Sequence, residues 1–305
     1  MSDAFSAKGR FYRGNLHTHS TRSDGGLSPQ EVCRRYRDEG YDFLALTDHF
    51  IGYFNYPMVD TRPFRCADFT TLIGAELHSG AMENGDLWHI LAVGLPFDFE
   101  PPTAMSFNPE PGMESGAALA RRAREAGGFV AIAHPQWSGL SLGDAMGIDA
   151  AHAVEIYNHS CGVEAGRADG ASIADRMFSA GRRLGLIATD DAHFHSADHF
   201  GGWVMVKAEE NDPEALVAAL KAGHHYASQG PEIRRIEISD TAVEVECSAA
   251  VSVQVQGHGQ AARVVHGLSM TRATVPLDQH GTSPWLRVTV VDRAGRRAWS
   301  NPYWR

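Results

Sequence analysis

The chain has 305 residues, 43% of them hydrophobic and 21% charged, with a formal net charge of -10. That length exceeds one average domain, so a large α/β unit with a smaller companion is the starting expectation. The acidic balance excludes a protein that holds long duplex nucleic acid by charge, and no apolar run approaches the roughly 20 residues of a membrane span.

The opening stretch, MSDAFSAKGRFYRG, lacks the apolar segment of a secretory signal. Cys33, Cys66, Cys161 and Cys247 are far apart and form no C-x-x-C pair. Reduced thiols and a cytoplasmic location are therefore expected.

Residues 11–16 read as a strand running into His17-Thr18-His19, with Asp24 just beyond. Side chains alternate along a strand, so the two histidines of an H-x-H share a face and can serve one ion. Ser28-Pro29-Gln30-Glu31 is a capping box with proline at the first helical position, and Gly40 closes that helix. A strand over 42–46 leads to Thr47-Asp48-His49, and one over 71–75 to Glu76. Residues 88–93 form another strand, with His89 near its start. Residues 96–112 hold five prolines and read as a long loop, placed where a lid or pocket wall would stand.

A helix over 115–126 stops at Gly127-Gly128, and a strand over 129–133 ends at His134-Pro135. The strand at 153–156 runs into Tyr157-Asn158-His159, and 165–184 read as mostly helical. A strand at 186–189 ends at Asp190-Asp191, with His193 two residues on. Asp212-Pro213 caps a last helix through Ala222, and His224-His225 read as a cap on its final carbonyls. Repeated βα units with polar residues at strand ends predict a TIM-like barrel over residues 1–230, its site on that face. From about residue 231 the helical period vanishes. Strands at 233–238, 242–247, 251–256 and 286–291 predict a small all-β, sandwich-like domain over 231–305.

Several independent strand ends thus carry imidazole and carboxylate and none carries thiolate, a donor set that suits Zn, Mn or Fe. A divalent ion so held makes hydroxide at neutral pH and polarises an ester oxygen.

The ordered set H-x-H-x4-D-G, T-D-H, G-x-E, A-H-P and D-x-H resembles the PHP (polymerase and histidinol phosphatase) metallohydrolases. Here it reads His17-Thr18-His19 with Asp24-Gly25, Thr47-Asp48-His49, Gly74-Ala75-Glu76, Ala133-His134-Pro135 and Asp191-Ala192-His193, and it covers about residues 11–230. The resemblance implies a distorted (β/α)7 barrel holding two or three divalent ions. His17, His19, Glu76 and Asp191 would hold one ion. Asp24, His49 and His193 would serve the second, and Glu76 would bridge to a third near His134. Some members have a histidine where Asp24 stands, and this chain has Asn158 and His159 where a further ligand is expected. The tail, ending in Ala298-Trp299-Ser300-Asn301-Pro302, is similar to that of a subgroup that includes carbamate-ester (carbaryl-type) hydrolases.

The first expectation is a metal-dependent hydrolase of small phosphate esters, phosphomonoester or phosphodiester, with a nucleotide among the candidates, using a hydroxide held between ions. Arg22 would clamp a phosphate oxygen, His159 would contact substrate, and His89 would carry protons. The alternatives are attack on a carbamate, ester or amide carbonyl, and a non-catalytic module that binds metal or ligand. Phosphate calls for cationic or amide donors around the ions, an aryl ester for an apolar wall. His78, His195 and His199 read as surface residues. Asp48 reads as a partner for a ligating histidine.

Overall fold

The computed structural model describes residues 4–305. Strands run β1 (Arg10–Asn15), β2 (Phe43–Leu46), β3 (His49–Phe50), β4 (Thr70–Ala81), β5 (Leu87–Val93), β6 (Phe129–Ile132), β7 (Ala153–Asn158) and β8 (Gly185–Thr189). They continue as β9 (Trp203–Ala208), β10 (His225–Ser228), β11 (Ile233–Ile238), β12 (Ala242–Gly257), β13 (Ala262–Pro276), β14 (Trp285–Val291), β15 (Arg297–Ser300) and β16 (Tyr303–Trp304). The helices are α1 (Pro29–Asp38), α2 (Gly116–Glu125), α3 (Leu142–Gly147), α4 (His159–Ala165), α5 (Ala171–Ser179) and α6 (Pro213–Ala222).

Local chemistry sets these boundaries. The Ser28 and Ser115 hydroxyls accept from Glu31 N and Ala118 N, capping the exposed amides that open α1 and α2. Asp212 does the same for α6, with Pro213 at its first position. The stretch 165–184 is not one helix. Asn158 caps α4 at its start, Gly166 ends it in the left-handed region, and α5 begins afresh five residues later.

The strands follow the order β11-β12-β14-β15-β10-β9-β1-β2-β4-β5-β6-β7-β8, with β13 on β12, β16 on β14 and β3 on β4. The expected closed (β/α)7 barrel does not form: this is a mixed α/β fold with one large open sheet. Pairs β1–β2, β2–β4, β6–β7 and β7–β8 are parallel, but β4–β5, β5–β6 and β1–β9 are antiparallel. The reason at β4–β5 is length. A tight turn joins them, closed by Met82 N donating to Asp86 O, where a parallel crossover needs a dozen residues or more. At the other end β10 pairs with β15, so the ladder runs on into the tail instead of returning to β8. The ends of β1 and β8 are nonetheless stitched just beyond the strands. Asp191 N donates to His17 O and His19 N to Ala192 O, both at 2.9 Å.

Aliphatic and aromatic side chains fill the space between sheet and helices, from Phe50 and Trp88 through Ile132 and Phe178. Trp285 and Trp299 of the tail belong to that same cluster. Phe178 meets Trp285 edge to face at 5.4 Å, and Arg287 of β14 forks onto Asp175 of α5 at 2.7 and 2.8 Å. Among the described residues no helix is long and apolar enough to cross a membrane.

Candidate metal centre

The strand ends bring their donors to one place. His17 and His19 follow β1, His49 opens β3, Glu76 and His78 lie on β4, His89 on β5, His134 follows β6, and Asp191 and His193 follow β8. Ladder register does part of the positioning: His49 pairs with Glu76 and His78 stands opposite His89. Among the described residues four groups have donor atoms within 4.8 Å of one another and could hold a metal ion: His19-Asp24-His49-His193, His49-Glu76-His78-His89, His17-His19-Glu76 and His17-His134-Asp191.

Glu76 is the hub. Its Oε1 lies 2.9 Å from His89 Nδ1, 3.1 Å from His134 Nε2 and 3.5 Å from His17 Nε2, and its Oε2 lies 3.7 Å from His19 Nε2. Asp191 Oδ1 sits 3.0 Å from His19 Nε2 and 3.1 Å from His17 Nε2. Asp24 Oδ2 is 3.3 Å from His49 Nε2, and its Oδ1 is 3.5 Å from His193 Nε2. His134 and Asp191 both hold a positive φ, 24° and 56°. Such backbone costs about 1–3 kcal/mol per non-glycine residue and collects at functional sites.

Glu155, which braces this cluster, escaped the sequence reading, and Asn158 and His78 take roles other than those expected. Glu155, fully buried, accepts from Thr189 Oγ1 (2.6 Å), His134 N (2.6 Å) and Asn158 Nδ2 (2.9 Å), and meets His17 Nδ1 at 2.9 Å. Bonding one ring nitrogen to a carboxylate turns the other toward the cluster. Asn158 Nδ2 also donates to Asp191 Oδ2, and its Oδ1 caps α4, so its side chain braces the site. His78 is fully buried, not at the surface, with Nε2 2.9 Å from His49 Nδ1. The signals were there: a lone carboxylate inside Ala153-Val154-Glu155-Ile156, and a histidine two residues past Glu76, hence on the same strand face.

Other candidates take different positions. Asp48 receives Ser20 N (2.7 Å), Ser20 Oγ (2.8 Å) and Ser23 Oγ (2.6 Å), so it fastens the loop that carries Asp24. Arg22 lines a separate depression with Pro29, Phe54 and Pro57. His159 Nδ1 is 2.9 Å from the Tyr157 hydroxyl, outside the pocket lining. His195 lines the pocket, while His199 packs between Phe194 and Phe200. His225 belongs to β10 and is buried.

The electrostatics follow from this packing. Burial works against a charged His17, but Asp191, Glu76 and Glu155 outweigh it and raise its pKa well above the usual value. His49 is likewise raised to about 10 against burial, by Glu76 and Asp24. His19 goes the other way, lowered to about 3 by burial and by His193 and His49. Burial opposes the charge on Glu76, yet His49, His89 and His17 hold it well below the normal carboxylate range. Burial and the neighbouring His89 lower His78.

The residues fit a bound cation. His17 Nε2 and Glu76 Oε2 are buried at the centre of the cluster and make no aligned hydrogen bond, although Asp191 Oδ1 lies 3.1 Å from the first and His49 Nδ1 2.5 Å from the second, so each has a lone pair that an ion would satisfy. Oxygen and imidazole dominate the donor set, as hard or borderline divalent ions require. Cys161 lines the pocket, but burial raises its thiol pKa, which keeps it protonated.

The cluster opens into a pocket of about 770 Å³. Its lining adds Met82, Leu87, Phe107 and Trp137 on the apolar side, and Ser160, Glu164, Arg167 and His195 among the polar groups.

The fold and the cluster together define a mixed α/β protein with histidine and carboxylate side chains spaced so that they could hold metal. The chain is similar along its length to a two-domain protein from Bacteroides vulgatus containing a predicted PHP-like metal-dependent phosphoesterase. The TM-score is 0.54, the identity 16%, and 94% of each chain is covered, a likeness of fold. An amidohydrolase from Chromobacterium violaceum, with bound sulfate and no metal, matches at 20% identity and TM-score 0.44 over 61% of this chain and 89% of its own. A candidate metal-dependent phosphoesterase from Bifidobacterium adolescentis matches at 15% and 0.42, over 59% and 87%. No family model and no curated protein sequence matches the chain.

Proposed function

We propose that this chain is a metal-dependent hydrolase of small phosphate esters. One observation carries the reading. The buried His17 Nε2 and Glu76 Oε2, which make no aligned hydrogen bond, belong to a histidine–carboxylate cluster that faces a pocket with Arg167 on its wall. Among the described residues lining that pocket, Arg167 alone is an arginine or lysine. A guanidinium offers a planar fork that matches phosphate oxygens; Arg167 takes the role that the sequence suggested for Arg22.

In this reading His17, His19, Glu76 and Asp191 hold one divalent ion, and Asp24, His49 and His193 hold a second. His134 beside Glu76 is the donor for a third. Such ions supply an activated water and offset charge on the phosphoryl oxygens. Zn, Mn and Fe all suit the donors. The chain's own side chains do the rest. Arg167 binds and orients the phosphoryl group. His89, neutral because burial lowers its pKa, takes a proton from the attacking water and returns it to the leaving oxygen. The water oxygen bonds to phosphorus, the ester P–O bond breaks, and an alcohol and inorganic phosphate leave.

The apolar stretch Met82, Leu87, Phe107 and Trp137 favours a second reading, hydrolysis of an aryl carbamate or ester. Turnover of p-nitrophenyl phosphate, its bis-ester and a 1-naphthyl carbamate separates the two. The expected result is a higher kcat/KM for a phosphate, falling about 10- to 100-fold in Arg167→Gln. A carbamate that exceeds both phosphates, with no effect of Arg167→Gln, replaces the first reading with the second.

A further inference from the structure

Phe107 and Trp137 are large aromatic side chains left 39% and 42% exposed at the mouth of an otherwise buried cluster. Both flank His89: Phe107 stacks toward its ring at 6.4 Å and 26°, and Trp137 meets it at 5.6 Å. Trp137 also lies 4.9 Å from His134, and Phe107 5.2 Å from His49. The exposed rings therefore adjoin imidazoles of the histidine–carboxylate cluster.

Neither ring is on a loose segment. The proline-rich loop that carries Phe107 is pinned three residues earlier at Ala104, whose carbonyl accepts from Gly52 N and the Tyr56 hydroxyl, both at 3.0 Å. Trp137 sits in a turn closed by Ser138 N donating to His134 O and Leu140 N to Pro135 O. Fixed, exposed rings present ready contact area at little ordering cost. Met82 and Leu87, both buried, continue the apolar surface beneath them.

We propose that the pocket selects esters whose organic group is flat and aromatic, seated against Phe107 and Trp137 while Arg167 holds the anionic end. This rests on the phosphate-ester reading and narrows it to a substrate class. A ring in that seat offers its edge and face to Phe107, Trp137 and His89 at the separations aromatic pairs favour. An alkyl chain gains only area burial there. The seat lies beside His134 and His49, so the bond joining ring-bearing group to phosphate falls next to the donors.

The test uses two unhydrolysable phosphonates, 2-naphthylmethylphosphonate and n-butylphosphonate, titrated by calorimetry into the metal-loaded protein. Hydrolysis of 2-phenylethyl phosphate and n-butyl phosphate, whose alcohols are similarly acidic, runs alongside. The aryl compounds should be preferred by about tenfold or more, the scale of a base stacked on an aromatic side chain. That ratio should fall below about threefold in Phe107→Ala and Trp137→Ala, and also in Trp137→Leu, which keeps an apolar body in case the alanine variant folds poorly. Equal binding of the two phosphonates overturns the aromatic seat and leaves the phosphate reading intact. Failure of both phosphonates to bind and of both phosphates to turn over overturns the phosphate reading, and the seat with it.

Discussion

Two buried histidines, His17 just past the end of β1 and His225 at the start of β10, respond to burial in opposite ways. His17, at the mouth, is ringed by Asp191, Glu76 and Glu155, and its proton is held well above the usual pKa. His225 lies at the base, beside Gly185 and Phe129, with both ring nitrogens unpartnered, and burial with His224 nearby lowers it to about 3. The same side chain, fully buried twice, is charge-seeking in one place and charge-averse in the other. Burial alone costs charge, and only a surplus of carboxylate reverses it. The mouth concentrates negative charge that calls for cations, protons or metal. The base is a neutral foundation.

The sharpest break in this comparison is Glu76→Ala, which removes the hub of the mouth. Turnover should fall at least ~100-fold, and elemental analysis of the purified variant should show fewer ions than the parent. Asp191→Ala should do the same. Full metal loading with near-normal turnover in either would mean that the charge surplus serves another purpose.

The mouth should also exchange protons for metal. In the metal-free protein His49 has a folded pKa of about 10, above its unfolded value, so its pairing stabilises fully below the ordinary 6.5 and is lost as pH rises through 10. A metal must displace that proton and the one on His17. Loading at pH 7 should release about two protons per chain, and affinity should rise with pH. Calorimetry in buffers of different ionisation enthalpy measures the release.

At the base, Asn301→Ala should cost about 2–3 kcal/mol and leave metal binding intact. Asn301 Oδ1 accepts from Leu186 N at 2.7 Å, and its Nδ2 donates to Gly223 O and His225 O at 3.0 Å each. Urea denaturation with metal analysis checks both halves; ion loss would tie the base to the mouth.

The smallest effect belongs to His225→Leu. Its folded pKa lies below its unfolded value, so the stability from keeping it neutral is intact above 6.5 and drains away as pH falls from 6.5 toward 3. The variant should lose about 2 kcal/mol less than the parent between pH 7 and pH 5. Equal losses, read from denaturation midpoints at the two pH values, would place the acid sensitivity elsewhere.

The mouth was far more legible in the sequence than the sheet that carries it. H-x-H, T-D-H and D-x-H are local patterns at strand ends, and their direction follows from the two-residue period of a strand. Arg22 shows the limit: adjacency to Asp24 does not tell which way a loop side chain turns, and Arg22 lines a separate depression whose lining does not include Asp24. His78 reads as superficial because the apolar run at 71–75 ends at Glu76, whereas β4 continues to Ala81 and keeps both residues on one face. β13 left no signal, because nearly all of Ala262–Pro276 is exposed or half-exposed and no apolar stripe marks a buried face. Its partner β12 read as two strands, since Ser248-Ala249 interrupt its apolar alternation within one continuous element. Barrel closure is decided by which edges meet, and periodicity does not record that.

The stitching of His17 and His19 to Asp191 and Ala192 has a consequence for the order of events during synthesis. His19 and Asp191 stand 172 positions apart, yet they share one contact of 3.0 Å. Such distant pairings are the slow part of folding, and a chain emerging from its N-terminus carries His17, His19, His49 and Glu76 long before their partners exist. A nascent chain that ends short of Asp191 holds imidazoles without the carboxylate that completes their set. Metal uptake in a refolding or translation experiment would thus date the joining of β1 to β8, and truncation series ending on either side of residue 193 would show it as a step.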